Sequence, residues 1–221
     1  AIPSVTSTSK LSFSPISTMV SAQSAFNEFS PVLNNGKELN TNNFKTSIKE
    51  KDFNYITRPA EINGVGKYWH EIGDIDRKGH NEQARLVNYT DELLNQIEDS
   101  LTNIFEKGIK KVKIVTDHGW LLLPGGLPKT TLNSGLTETR WGRCARIKEN
   151  ANVEMLHLPW RWNPSIFIAY APGINFFKAN TEYAHGGISL HECLLPVITI
   201  EKRDRDIKKA KITSVKWVKS Y

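Results

Sequence analysis

An α/β fold is predicted for this 221-residue chain from three features. A long amphipathic stretch near its middle lies between two short runs that read as strands. Three short segments rich in Asp, His and Gly sit just after predicted strands or just before a predicted helix. Hydrophobic residues at 39% and charged residues at 24% suit a chain that buries a real core, which excludes a wholly disordered protein.

The first 24 residues hold eight serines, but Leu11, Phe13, Ile16, Met19 and Val20 among them argue against a flexible linker. Ser14-Pro15 predicts a helix start, with serine as the cap and proline at the first helical position. The Asn- and Gly-rich stretch Asn34 to Asn43 reads as a surface loop. Lys67 to Ile75 reads as a buried strand running into a loop. A long helix is predicted from about Glu82 to Lys107, because Leu86, Tyr89, Leu93, Ile97, Leu101 and Ile104 recur every three or four residues. Gly108 ends it as a left-handed cap. Val112 to Val115 is the next strand, and strand, helix, strand at this length predicts a βαβ unit with a parallel sheet. Thr130 to Arg146 reads as a loop carrying Arg140, Arg143 and Arg146. Val153 to Leu158 and Ile166 to Tyr170 read as strands around the aromatic turn PWRWNP, and Leu195 to Ile200 and Ile212 to Val218 as the final strands. One sheet and one domain over residues 1–221 is the expectation.

The net charge of +6 is uneven: from Glu201 to Tyr221, eight Lys or Arg face three Asp or Glu. Two readings stay open for that tail, a site for nucleic acid or another polyanion, or a solvated edge strand whose lysines discourage sheet pairing. No run approaches the ~18 apolar residues of a transmembrane helix, so no membrane partner is expected. The start has no basic segment followed by an apolar core, so it is not read as a signal peptide. It opens on Ala1 rather than methionine, and the chain is expected to be a piece of a longer one. Two cysteines, Cys144 and Cys193, are too few for a disulfide framework, and a reducing cytoplasm fits.

The chemistry concentrates in Asp74-Ile-Asp76-Arg-Lys-Gly79-His80, in Thr116-Asp117-His118-Gly119 and in Tyr183-Ala-His185-Gly186-Gly187. Asp76 and His80, four apart on a predicted loop, can turn towards one cation, with Gly79 allowing a tight turn. Carboxylate and imidazole together suit zinc better than calcium or magnesium. Singly, each segment is also a cap or a structural turn. Together they hold three of the six histidines, all near strand ends where α/β sheets bind ligands.

Asp76-x-x-Gly79-His80, Asp117-His118-Gly119 and His185-Gly186-Gly187, in that order, resemble the alkaline phosphatase superfamily. More narrowly, TDHGWLLLPGG with HGGISLHECLLPVITI is similar to the PglZ domain, a component of BREX-type bacterial phage-defence systems, over about residues 2–200. The resemblance implies a three-layer α/β sandwich with a mostly parallel sheet. It implies a metal-dependent phosphoester hydrolase in which Asp76, His80 and His185 hold one divalent ion and Asp117 and His118 a second. Zinc is the expected ion, with manganese or magnesium as alternatives. Ile2-Pro3-Ser4-Val5-Thr6 is similar to the family's nucleophile segment, which makes Thr6 the nucleophile, with Ser7 and Thr8 as alternatives in register. The family's first strand and its aspartate have no counterpart before Thr6, so the second ion is expected to bind weakly and turnover to be weak or absent. The implied partners are a phosphoester substrate, nucleic acid included, and other phage-defence proteins.

Two other classes compete: a catalytically silent module of a defence complex, and a basic nucleic-acid-binding domain without chemistry. Arg140 and Arg143 can grip a phosphate or lie solvated in a loop. Trp141, Trp160 and Trp162 can stack a base or anchor a core. Glu192 is read as positioning its helix or supporting a ligand, His191 as structural, Cys193 as an inert buried thiol, and His70 and His157 as core or surface residues.

Overall fold

The computed structural model describes residues 1–203 except 22 and 27, and over these the chain is a mixed α/β protein. The helices are α1 (Thr6–Phe13), α2 (Thr41–Lys49), α3 (Ile75–Glu82), α4 (Thr90–Glu106) and α5 (Leu190–Cys193). The strands are β1 (Phe53–Ile56), β2 (Lys67–His70), β3 (Lys111–Val115), β4 (Leu121–Leu122) and β5 (Thr137–Arg140), then β6 (Cys144–Ile147), β7 (His157–Trp160), β8 (Asn163–Tyr170), β9 (Tyr183–Ala184) and β10 (Val197–Glu201).

The largest sheet among the described residues is antiparallel, in the order β5-β6-β8-β7. Both of its faces are covered. Alternation along β8 sends Ile168 and Tyr170 into a cluster with Leu11, Phe29, Ile48 and Trp160, and Ala169 into a second cluster with Ile147 and Phe177. Trp160 and Trp162 are core anchors: their Nε1–H groups donate to the Thr8 hydroxyl and carbonyl, each at 3.0 Å. Those bonds seat α1 on the sheet and so fix where the chain presents Thr6.

Several sequence expectations are corrected here. Ser14 closes α1 rather than opening a helix, and its hydroxyl donates back to Leu11 O. The expected loop 130–146 contains β5 and β6, paired as a hairpin around Trp141 and Gly142. The strand expected at Val153 forms later, at His157–Trp160. The single helix expected from Glu82 is interrupted: Gln83 adopts φ 54°, a 3₁₀ segment Gln83–Tyr89 follows, and α4 begins at Thr90. The reason is tertiary, since the Gln83 side chain accepts from the Glu182 and Tyr183 amides and donates to His80 O. Gly108 does end α4 in the left-handed region, at φ 86°.

The expected parallel pairing of the strands flanking that helix is not what forms. β2 pairs in parallel with β1, and β3 pairs antiparallel with β10. Among the described residues these are separate two-stranded sheets, and most pairing is antiparallel. β3 takes β10 as its neighbour through Val197↔Val115 to Glu201↔Lys111, with Lys111 and Glu201 ion-paired at 2.7 Å. No described helix is long and apolar enough to cross a membrane. The expected strand Ile212–Val218 and most of the basic tail lie outside the described residues.

Candidate metal centre

Asp76 and His80 stand on α3, a helix where the sequence suggested a loop. IDRKGHNE lacks an apolar period, so its helicity comes from neighbours. Asp74 at its N-terminus takes the Arg77 guanidinium, and Gly79 lies flat under the Tyr183 ring, where an added Cβ would overlap it. At i, i+4 spacing the Asp76 and His80 side chains share one face of the helix, 3.6 Å apart from Oδ1 to Nε2.

β9 delivers the third group. His185 Nε2 lies 3.2 Å from Asp76 Oδ1 and 3.1 Å from His80 Nε2, although 105 residues separate the two histidines. One ligand atom from each of Asp76, His80 and His185 falls within 4.8 Å of the others. Atoms bound at about 2.0–2.1 Å to one tetrahedral ion stand about 3.3 Å apart. The spacing matches that requirement.

His185 is 6% exposed, and its Nδ1 faces the carbonyl of Ser4 at 3.0 Å. Since a carbonyl only accepts, the proton is assigned to Nδ1, which leaves the Nε2 lone pair aimed at Asp76 and His80. Burial first, and then the adjacent His118 ring, pull the His185 pKa down to about 4. The ring is therefore neutral at pH 7, the form that ligates metals. Asp76, His80 and His185 are thus three groups that could hold one cation.

His118 lies beside the triad rather than in it. Its ring stacks on His185 with centroids 4.0 Å apart and planes 10° from parallel. His118 Nδ1 faces Gly119 O at 3.0 Å, so its Nε2 accepts from the Thr6 hydroxyl, 3.2 Å away. Asp117 Oδ1 accepts from the His118 amide at 3.1 Å, and its Oδ2 is 3.8 Å from His118 Nε2. Thr6 is the first residue of α1.

Arg140 and Arg143 do not form a pair at this centre. Arg140 is exposed on β5 and donates to Leu132 O at 3.0 Å. Arg143 is fully buried, with its donors turned to groups inside the protein. Cys193, expected to be a buried thiol, is only partly buried, His70 is half-buried in β2, and His157 is exposed in β7.

Tyr183 was given no role by its sequence position, yet its hydroxyl donates to Asp76 Oδ1 at 2.9 Å from a fully buried ring. Burial, reinforced by the Asp76 charge, raises its pKa well above the ordinary tyrosine value, so it stays a donor. The available signal was its place two residues before His185, where extended chain puts both on one face. Ser4 carried no such signal.

No protein-family model matches the chain, and no curated protein matches it either.

Proposed function

We propose that this chain is a metal-dependent phosphoester hydrolase domain built around Asp76, His80 and His185. The observation that carries the reading is a three-residue cluster that is closed on one side and open on the other: the His185 side chain is 4% exposed, those of Asp76 and His80 41% and 51%. Three protein ligands with a solvent-facing position are the pattern of catalytic rather than structural zinc.

A divalent ion, zinc first, would be held by the Asp76 carboxylate and the Nε2 atoms of His80 and His185, and when bound it supplies Lewis-acid stabilisation to phosphoryl oxygens. The chain's own residues supply the nucleophile. The Thr6 hydroxyl passes its proton to His118 Nε2 as its oxygen attacks phosphorus, and the bond to the leaving oxygen breaks. Water then cleaves the Thr6 phosphoester and frees the hydroxyl. The family resemblance gives Asp117 and His118 to a second ion instead; with Nδ1 turned to Gly119 O, Nε2 is the one free nitrogen of His118, so that role would replace the base role.

The resemblance supports the finer readings that travel with it: an alkaline-phosphatase-like sandwich missing its first strand, a PglZ-type domain, and a place in bacterial phage defence in the cytoplasm. The test is zinc titration by calorimetry together with hydrolysis of 4-nitrophenyl phosphate and bis(4-nitrophenyl) phosphate. The expectation is a zinc site lost in His185→Ala and a weak metal-dependent turnover lost in Thr6→Ala. Zinc binding without any turnover would favour the silent-module reading. Zinc affinity unchanged by His185→Ala would end the metal reading.

A further inference from the structure

An ion pair of unusual burial lies behind the cluster. Arg143, just before β6, and Glu192 on α5 are both fully buried. They meet side on, Nε donating to Oε1 at 3.1 Å and Nη2 to Oε2 at 2.8 Å. The other Arg143 donors go to the carbonyls of Asn175 and of Gly173, the latter at 2.9 Å. Taking two full charges out of water is costly, and well-packed apolar groups would often serve stability as well. The pair has a second use in what else it holds.

It holds the two histidine loops. The Glu192 carboxylate accepts the Gly187 amide at 2.7 Å, two residues beyond His185, and also the Ser189 amide and hydroxyl. The Glu192 carbonyl accepts the Gly119 amide at 3.0 Å, one residue beyond His118. Both glycines are required by contact: a Cβ on Gly187 would overlap Arg143 and Glu192, and one on Gly119 would overlap the His191 carbonyl. Ser4, whose carbonyl orients His185, is drawn into the same unit, because its hydroxyl donates to Gly187 O at 2.7 Å and accepts from the Gly186 amide at 3.1 Å.

We propose that Arg143 and Glu192 are positioning residues for the candidate centre, setting His185 and His118 in their stacked register: the Glu192 carboxylate clamps Gly187, and the pair holds in place the α5 backbone whose carbonyl takes the Gly119 amide. The consequence for metal affinity rests on the hydrolase reading above; the consequence for imidazole geometry does not. This gives Arg143 a role on the protein side of the centre, in place of the phosphate grip considered from the sequence.

The experiment uses the whole chain and the double variant Arg143→Met, Glu192→Leu, which removes both charges and leaves no uncompensated ion. Three properties are read: the melting midpoint, the nuclear Overhauser effect between the His118 and His185 ring protons without metal, and zinc affinity by calorimetry. The expected variant melts cooperatively close to the wild type, loses the ring contact, and binds zinc about 10–100-fold more weakly. If it does not fold, Arg143→Lys carries the same test, since the charges stay balanced but the two-point guanidinium grip that fixes the Glu192 carboxylate is lost. A folded variant that keeps the ring contact and the zinc affinity of the wild type overturns the proposal. A wild type that shows the ring contact but binds no zinc ends the metal reading alone, and loss of the contact in the variant still supports the clamp.

Discussion

Acidifying the metal-free protein is expected to weaken it through one imidazole. His185 is 6% exposed, packed against the His118 ring and bonded to Ser4 O. Burial first, and His118 second, lower its pKa from the ordinary 6.5 to about 4. At about 1.4 kcal/mol per unit, that interval is worth about 3 kcal/mol. The direction follows from proton counts. Between the two values the unfolded chain holds a proton that the folded chain refuses, so the contribution is fully present above 6.5 and is lost as pH falls towards about 4. The assay is urea denaturation in the presence of a chelator, at pH 7.5 and 4.5, for the wild type and His185→Asn. The asparagine amide can still donate to the Ser4 carbonyl but does not titrate, and all other acid-sensitive groups are common to both proteins. The wild type should lose about 2–3 kcal/mol more than the variant over that interval. An equal loss in both would show that His185 is not held neutral by the fold, and would remove the argument that its Nε2 is ready to bind a cation.

Two further outcomes concern the support of Asp76. Tyr183→Phe keeps the ring over α3 but deletes the 2.9 Å bond to Asp76. Zinc affinity should fall about tenfold with little change in melting, read by calorimetry beside a thermal scan. Gly79→Ala drives a methyl into the fully buried Tyr183 ring, which should cost about 1–3 kcal/mol in urea denaturation and weaken zinc binding as α3 shifts.

How much of this was readable along the chain depended on how far apart the cooperating residues lie. The helix from Thr90 to Glu106 was legible because its apolar face repeats within each turn, and Gly108 because a left-handed cap is a local demand. The helix after Ser189 was legible too, and it closes a capping box in which Glu192 reaches back to the Ser189 amide. The segment IDRKGHNE is not legible as a helix because it carries a glycine and no apolar face; Tyr183, more than a hundred residues on, packs over Gly79 and bonds to Asp76. β5 and β6 are not legible as strands because TETR and CARI carry no apolar alternation, whereas pairing of β6 with β8, and of β5 with β6, settles them as strands.

The sequence by itself determined the composition of the centre: an Asp and a His four apart, a second His before two glycines, and an Asp-His pair after a strand. Those are statements about spacing, which backbone geometry converts into faces and turns without help from the rest of the chain. Only the tertiary structure decided that Asp76, His80 and His185 share one point while His118 turns to Thr6, and that Arg143 lies behind the centre in a buried pair with Glu192. Strand partners, ring stacking and buried charge pairs join segments tens to more than a hundred residues apart. Their energies depend on which groups lose water together, and no local period along the chain records that.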